Sequence, residues 1–336
     1  MNRRKIRSTL LLCVVLLGCL AGAARAEVGA VTLARQFGIA FIPFLMMEDG
    51  KLIEKHARAL GLPDLKVNWT VLTGAAPMND ALLSGRLSFG TGAAPALILL
   101  WDRTRATANP IRGISAIATM PTYLNTRNPA IRSLRDYTDK DRIALPSVKL
   151  SNAALVLQMA AATIWGDDQF ARLDPLTVSM GHPDAAAQVM GSGEITSHFA
   201  SPPYQVFELR DPRVHAVINS VEVMGDATLT DVWTTTALMR DNPTVVRAVL
   251  DAMREAVDSI NADKAAAADL YLRLSKDRIE KADLMTVLRD PHTIYSLTPL
   301  GTMAFADFMH KTGVIRAKPA AWTDLFFPVA HELPGS

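Results

Sequence analysis

Cysteine is nearly absent from this chain of 336 residues, which contains only Cys13 and Cys19, both near the N-terminus. The segment around them is typical of a secretory signal, with basic residues from Arg3 to Arg7, an apolar run over Leu10–Leu20 and a small-x-small site at Ala24-Arg25-Ala26. Cleavage at that site removes both thiols. The exported chain would then have no disulfide, no cysteine-ligated zinc and no cysteine nucleophile.

We therefore expect residues 1–26 to be a signal peptide and the protein to be exported to the periplasm. An alternative cleavage site is Leu16-Leu17-Gly18-Cys19, which suits lipoprotein processing and would leave a lipid anchor on Cys19.

The sequence after the leader has no further apolar run of the length that a membrane helix needs. It also lacks a surplus of positive charge. The whole chain has 35 basic and 33 acidic residues, and removal of five basic leader residues leaves a net charge of −3. This balance argues against nucleic acid or an anionic membrane as a partner.

Common catalytic and metal-binding motifs are missing as well. The sequence has no G-x-S-x-G elbow, no H-E-x-x-H and no phosphate-binding G-x-x-x-x-G-K-[ST] loop. Its histidines show no metal-ligand spacing. We predict a protein without cofactor or metal that is not an enzyme.

A repeated stretch is the main positive signal. Met78–Pro95 returns in variant form as Ala186–Pro203, with a Ser-Gly pair ending at Gly85 and at Gly193. Each copy predicts a short helix that ends at a glycine able to adopt the left-handed cap, then a brief strand and a turn. The repeat predicts two similar lobes with room for a ligand at the strand ends.

The rest of the chain alternates predicted strands and helices, which favours an α/β fold with a largely parallel sheet in each lobe. We predict lobe 1 from residues 27–121 and 227–336, with lobe 2 inserted as residues 122–226. The predicted strands are Val31–Ala34, Val67–Leu72, Ile111–Thr119, Ile143–Pro146, Leu176–Met180, Val214–Ile218 and Thr234–Met239, and predicted helices begin at Pro43, Pro95, Ser151 and Asn242-Pro243. Two crossings between lobes are consistent with a hinge.

Several segments carry a resemblance to a known family. They are Gln36-Phe37-Gly38, Met46–Lys55, Met78–Trp101, Pro146–Ser151 and Asn242-Pro243. In their order and spacing the chain resembles the solute-binding proteins of ABC importers, in the nitrate/taurine/sulfonate branch that also contains thiamine-precursor proteins.

The resemblance implies a two-lobed type II periplasmic binding protein, each lobe a mixed, mostly parallel sheet flanked by helices. It implies a monomer that closes over a small-molecule ligand and delivers it to an ABC transporter permease in the inner membrane. Where better-known members have a glycine-rich turn, this chain has Val148–Asn152. The ligand therefore stays open among sulfonates, nitrate, aromatic carboxylates and pyrimidine precursors.

We expect the substrate-binding residues at the strand ends and at helix N-termini, where backbone N–H groups favour an anion. The candidates from lobe 1 are Gln36, Phe37, Gly38, Phe41, Gly74, Ala75, Thr91 and Gly92. The candidates from lobe 2 are Ser147, Lys149, Ser151, Asn152, His198 and Phe199. Lys149 would pair with the anion, while the phenylalanines would form an apolar wall. Capping and core packing are the alternative roles for these residues.

Two enzyme types with related folds, thiamine-pyrimidine synthases and desulfinases, are disfavoured. The former depend on a cysteine-rich iron-binding segment and the latter on a cysteine nucleophile, and the exported chain would have no cysteine. A ligand-sensing accessory protein would have the same lobes, and the sequence does not separate it from an importer component.

Overall fold

The computed structural model describes residues 27–275 and 279–336. The predicted signal peptide, residues 1–26, which includes Cys19, lies outside this part of the chain. Ten strands are described: β1 Ala30–Arg35, β2 Lys66–Val71, β3 Gly90–Gly92, β4 Ile111–Thr119, β5 Tyr123–Thr126, β6 Ile143–Leu145, β7 Thr177–Ser179, β8 Ser197–Ala200, β9 His215–Asn219 and β10 Thr228–Thr235.

Helices connect most of these strands, and five more of the described helices follow β10. In chain order they are α1 Ile42–Asp49, α2 Leu52–Ala59, α3 Ala75–Leu83, α4 Ala94–Thr104, α5 Asn152–Trp165, α6 His182–Met190, α7 Tyr204–Glu208, α8 Ser220–Met224, α9 Thr236–Asp241, α10 Pro243–Ala262, α11 Lys264–Ser275, α12 Lys281–Arg289 and α13 Thr302–Lys311. Within the described residues, no helix is both long and apolar enough to cross a membrane.

The strands form two groups. Sheet I contains the parallel pair β1–β2 and the antiparallel set β3-β10-β4, joined by a bridge between Leu33 and Phe89. Sheet II has the order β7-β6-β8-β5-β9, with β6 parallel to both neighbours and β5 antiparallel to both of its own. The predicted mixed α/β fold is confirmed.

In each sheet, one strand follows a strand of the other sheet in the sequence. These strands are β10 in sheet I, which comes after β9, and β5 in sheet II, which comes after β4. The chain leaves sheet I after β4 and returns to it at β10, so only residues between these strands contribute to sheet II. The repeated stretches occupy corresponding positions, α3–β3–α4 beside sheet I and α6–β8–α7 beside sheet II.

Apolar packing against α10 explains much of the core beside sheet I. Its buried residues recur at helical spacing and include Val246, Val249, Met253 and Ile260, which belong to one cluster with residues of α1 and α2. A second cluster spans both sheets, because Leu97 of α4, Leu155 of α5 and Phe305 of α13 all belong to it. Apolar contact therefore extends from one sheet group to the other.

Two local predictions were wrong. Thr234–Met239 is not a strand, because β10 ends at Thr235, whose side chain accepts a hydrogen bond from the Leu238 N–H at 3.2 Å and begins α9. In the second repeat copy, α6 ends at Met190 and Gly191 has φ −88°, so no left-handed glycine closes it. In the first copy Gly85 has φ +75°, as predicted.

Candidate functional site

A cavity of about 70 Å³ lies between the two sheet groups, where strand ends and helix N-termini meet. Ten of the predicted binding residues line it: Gln36, Phe37, Phe41, Gly74, Ala75, Thr91, Gly92, Ser147, Ser151 and Asn152. Phe37 is 40% exposed, which places it at the mouth, whereas Phe41 reaches the wall from the core and is 6% exposed. Among the described residues on the wall, none is Asp, Glu, Lys or Arg.

Four helices begin at this cavity. Ala75 starts α3 and Asn152 starts α5, while Ala93 and His182 stand at the starts of α4 and α6, and all four residues line the wall. Two of these helices belong to sheet I and two to sheet II. A helix N-terminus carries partial positive charge from its aligned peptide dipoles, so the four ends together favour a negatively charged group.

The first-turn N–H groups of a helix have no acceptor within the helix. Here Ser147 Oγ accepts from the Ala75 N–H at 3.1 Å, and Ser151 Oγ accepts from the Ala154 N–H at 3.2 Å. Within residues 27–275 and 279–336, the backbone N–H groups of Asn152 and Ala153 have no acceptor. They are the donors that a ligand could use.

Gln36 holds the sheet I side of the wall together. Its Nε2 donates to the carbonyl of Thr91 at 3.3 Å, and its Oε1 accepts from the Gly74 N–H at 3.2 Å. The amide thus bridges the end of β1, strand β3 and the start of α3. This geometry assigns Gln36 a positioning role.

Trp233 of β10 lines the cavity and is fully buried against two glycines. A Cβ at Gly90 would lie 2.3 Å from Trp233 Nε1, and one at Gly92 would lie 3.3 Å from Cη2 of the same ring. The indole of Trp233 therefore requires glycine at position 90, and it explains why β3 contains small residues.

The two sides of the cavity meet in main-chain contacts. The Ile39 N–H donates to the Pro202 carbonyl at 3.2 Å, and Gly38, at φ +108°, has that same carbonyl 2.9 Å from where a Cβ would be. At Gly74, a Cβ would lie 2.8 Å from Ser147 Oγ. Side chains at these two glycines would hold the sides apart.

Comparisons with solved structures match this architecture, whereas no protein-family model and no curated protein matches the chain. The alkanesulfonate-binding protein of Xanthomonas axonopodis pv. citri bound to MOPS is 15% identical, with a TM-score of 0.69 over 89% of this chain and 98% of that chain. The periplasmic aliphatic sulphonate-binding protein of Escherichia coli is 15% identical, with a TM-score of 0.60 over 90% and 92%. The periplasmic nitrate-binding protein of Synechocystis PCC 6803 is 13% identical, with a TM-score of 0.61 over 91% and 86%.

The chain has the fold of a periplasmic binding protein.

Within this periplasmic-binding fold, four predicted site residues are not on the cavity wall: Gly38, Lys149, His198 and Phe199. Lys149 has a left-handed backbone with φ +65°. Burial raises the pKa of Asp174, and the hydrogen bond from Gln158 and the charge of Lys149 offset part of that rise. Phe199 is fully buried in the apolar cluster that spans both sheets. His198 is fully buried one layer behind the wall, where it contacts His182.

Other residues of the cavity wall were not predicted from the sequence. They include His182, Ser201, Pro202, Leu229, Thr230 and Trp233. His182 had a recognisable signal, since Gly181-His182-Pro183 begins the helix that leads into the second repeat copy, as Gly74-Ala75 begins the helix that leads into the first. Trp233 had none, because nothing in the local sequence of β10 indicates that the strand passes under the cavity.

One buried acid lies next to the wall. Asp231 adjoins Thr230 in β10, is fully buried, and its two carboxyl oxygens have no partner among the described residues. Burial raises the pKa of Asp231 well above its usual range. Burial therefore disfavours a negative charge on this carboxyl beside the cavity.

Proposed function

We propose that the protein is the solute-binding component of an ABC importer and captures a small organic anion in the cavity between its two sheet groups. The observation that carries this proposal is the meeting of four helix N-termini at a cavity whose described wall residues include no acidic side chain. An anion there receives hydrogen bonds from free N–H groups and is stabilised by the helix dipoles. As part of the proposal, lobe 1 is residues 27–121 and 227–336 and lobe 2 is residues 122–226.

The size of the cavity limits what fits without movement. Its volume of about 70 Å³ compares with ~30 Å³ per water in the liquid and ~150 Å³ for an engineered cavity that binds benzene. A charged head group such as nitrate or a short sulfonate fits this space. A longer ligand requires Phe37 at the mouth to move or the lobes to open about the two crossings.

The remaining parts of the proposal follow from the fold. Similar structures include the ligand-binding component of an ABC-type import system from Staphylococcus aureus and the periplasmic sulfonate-binding protein of Methylobacillus flagellatus KT. Both support transport through a permease rather than catalysis. We propose that the protein acts in the periplasm as a monomer after removal of residues 1–26.

Thermal unfolding of residues 27–336 tests the proposal. We would compare methanesulfonate, ethanesulfonate, taurine, nitrate, benzoate and a hydroxymethylpyrimidine, with methanesulfonamide as the uncharged partner of methanesulfonate. A ligand at a hundred times its dissociation constant stabilises the folded form by about 2.7 kcal/mol. The proposal predicts a raised midpoint with at least one anion and none with the sulfonamide.

Asn152→Asp serves as the matched variant, because it adds a negative charge at the α5 N-terminus with almost no change in size. The anion-dependent shift should shrink strongly in this variant. Equal shifts with methanesulfonate and methanesulfonamide, or a shift that Asn152→Asp leaves unchanged, would contradict anion capture at these helix ends.

A further inference from the structure

A line of three buried ionisable side chains leads from the interior to the cavity. Glu208 Oε1 lies 2.5 Å from His198 Nδ1, and His198 Nε2 lies 2.8 Å from His182 Nδ1. Glu208 Oε2 accepts a second hydrogen bond from Asn125 Nδ2 at 2.9 Å. Glu208 and His198 are fully buried, and His182 is 8% exposed.

The line ends at the cavity on His182. This residue lines the wall, and its ring stacks on Tyr204 with 5.7 Å between ring centroids. Its Nδ1 is bonded to His198, whereas its Nε2 has no hydrogen-bond partner among the described residues and is not one of the fully buried unpaired atoms. Nε2 is therefore the atom that His182 has available for a ligand.

The hydrogen bonds allow two levels of protonation. When Glu208 is ionised and His198 is neutral, the His198 Nδ1–H donates to Glu208 and its Nε2 accepts from His182 Nδ1–H, which leaves His182 Nε2 as an acceptor. One more proton, held by His198 Nδ1 or by Glu208 Oε1, lets the His198 Nε2–H donate to His182. His182 must then accept at Nδ1 and carry its own proton on Nε2, so a donor faces the cavity.

Burial favours the second level. The first leaves the carboxylate of Glu208 as an uncompensated charge in the interior, whereas the second has no net charge. Burial lowers the pKa of His182, and the neighbouring His198 lowers it further. The added proton consequently belongs to the Glu208–His198 pair, and His182 stays neutral.

Other ionisable residues lie on the elements that carry these side chains or pack against them. They are Asp184 on α6, Tyr204 on α7, Tyr123 on β5, His215 on β9 and Asp283 on α12. Asp283 is paired with Arg210, and His215 contacts the Ile131 carbonyl. In the part of the chain that the structure describes, no hydrogen bond or ion pair joins Asp184, Tyr123, His215 or Asp283 to the line. Its proton is therefore set mainly by its own members and by what occupies the cavity.

We infer that Glu208, His198 and His182 form a proton relay that makes His182 Nε2 a hydrogen-bond donor to an anionic oxygen in the cavity, so that capture of an anion holds one additional proton in the protein. This inference rests on the proposed function and extends it. The bound solute is an anion that accepts a hydrogen bond from His182, and its affinity depends on pH.

The sign of that dependence follows from linkage. An anion favours the protonated relay, so binding raises the relay's proton affinity, and protonation raises anion affinity by the same factor. Affinity is greatest below the apparent pKa of the free relay. Above it, affinity falls by up to tenfold per pH unit until the apparent pKa of the complex is reached.

The first experiment needs no ligand. Long-range ¹⁵N–¹H spectra of residues 27–336 with ¹⁵N-histidine, recorded from pH 5 to 9, report the proton on each ring nitrogen. Signals are assigned by their loss in His182→Asn and His198→Asn. The expected result below the relay's apparent pKa is a proton on Nε2 of both His198 and His182. A His182 Nε2 without a proton throughout the range would overturn the inference.

The second experiment measures coupling with methanesulfonate by titration calorimetry at one pH below and one pH above the apparent pKa that the spectra give, in buffers of different ionisation enthalpy. Wild type should bind more tightly at the lower pH and take up protons on binding at the higher pH. Glu208→Gln keeps the side-chain size but removes the charge, and it should bind without proton uptake. Equal uptake in both proteins would refute the relay. Failure of methanesulfonate to bind would count against the proposed ligand class, while the spectra still decide the relay.

Discussion

Gly74 offers the sharpest test of closure between the two lobes. It lies before α3 with φ +88°, and a Cβ there would be 2.8 Å from Ser147 Oγ and 3.1 Å from the Pro146 carbonyl oxygen. Both neighbours belong to the opposite side of the cavity. Gly74→Ala should therefore have two effects, backbone strain in every state and a steric clash only in the closed state.

Gly61 separates the two effects. It has φ +90°, and nothing lies within 4 Å of a Cβ built on it. Both alanine variants carry the strain of a left-handed backbone, about 1–3 kcal/mol. Only Gly74→Ala adds overpacking at the closed interface, about 1–3 kcal/mol, which corresponds to roughly 5–150-fold in affinity.

The assay combines urea unfolding of the free proteins with calorimetric titration of the anion that best stabilises wild type. The two variants should lose similar stability, Gly61→Ala should bind as wild type does, and Gly74→Ala should bind more weakly by at least fivefold. Equal affinities in the two variants would show that closure onto Ser147 plays no part in binding.

Three further predictions concern the cavity and the sheet beneath it. Gly90→Ala should lose about 1–3 kcal/mol by overpacking against the buried indole, measured by urea unfolding, with Gly29→Ala as a control near zero. Burial raises the pKa of Asp231 in the folded protein above its value in the unfolded chain, about 4. The free energy of unfolding should therefore fall as pH rises between these two pKa values, by up to ~1.4 kcal/mol per pH unit. Asp231→Asn should remove this fall, and identical pH profiles for variant and wild type would contradict it. Asn152→Asp should weaken anion binding at least tenfold in titration, whereas Lys149→Ala should change the affinity less than twofold. A larger loss of affinity in Lys149→Ala than in Asn152→Asp would show that Lys149 pairs with the bound anion.

Much of the fold was predictable because its signals are local. Ser151 was predicted to begin a helix, and its side chain does cap α5. Ten residues of the cavity wall were predicted from strand ends and helix starts, because a parallel strand followed by a helix places its connecting residues at one sheet edge. The alternation of strands and helices was sufficient for the α/β class.

The rest depended on contacts between distant segments. His198 was predicted on the wall, but antiparallel pairing of β8 with β5 turns its ring toward Glu208 behind the wall. Trp233 reaches the cavity only because β10 returns to sheet I between β3 and β4. The strand predicted at Thr234–Met239 failed because a capping hydrogen bond at Thr235 outweighed the apolar pattern.

A crystal structure of residues 27–336 with the most stabilising anion tests the central claim directly. The account predicts the charged head group in the cavity at the four helix N-termini, with an oxygen about 2.7–3.2 Å from the backbone nitrogen of Asn152 or Ala153 and another near His182 Nε2. An anion bound elsewhere, with this cavity unchanged, would contradict the claim.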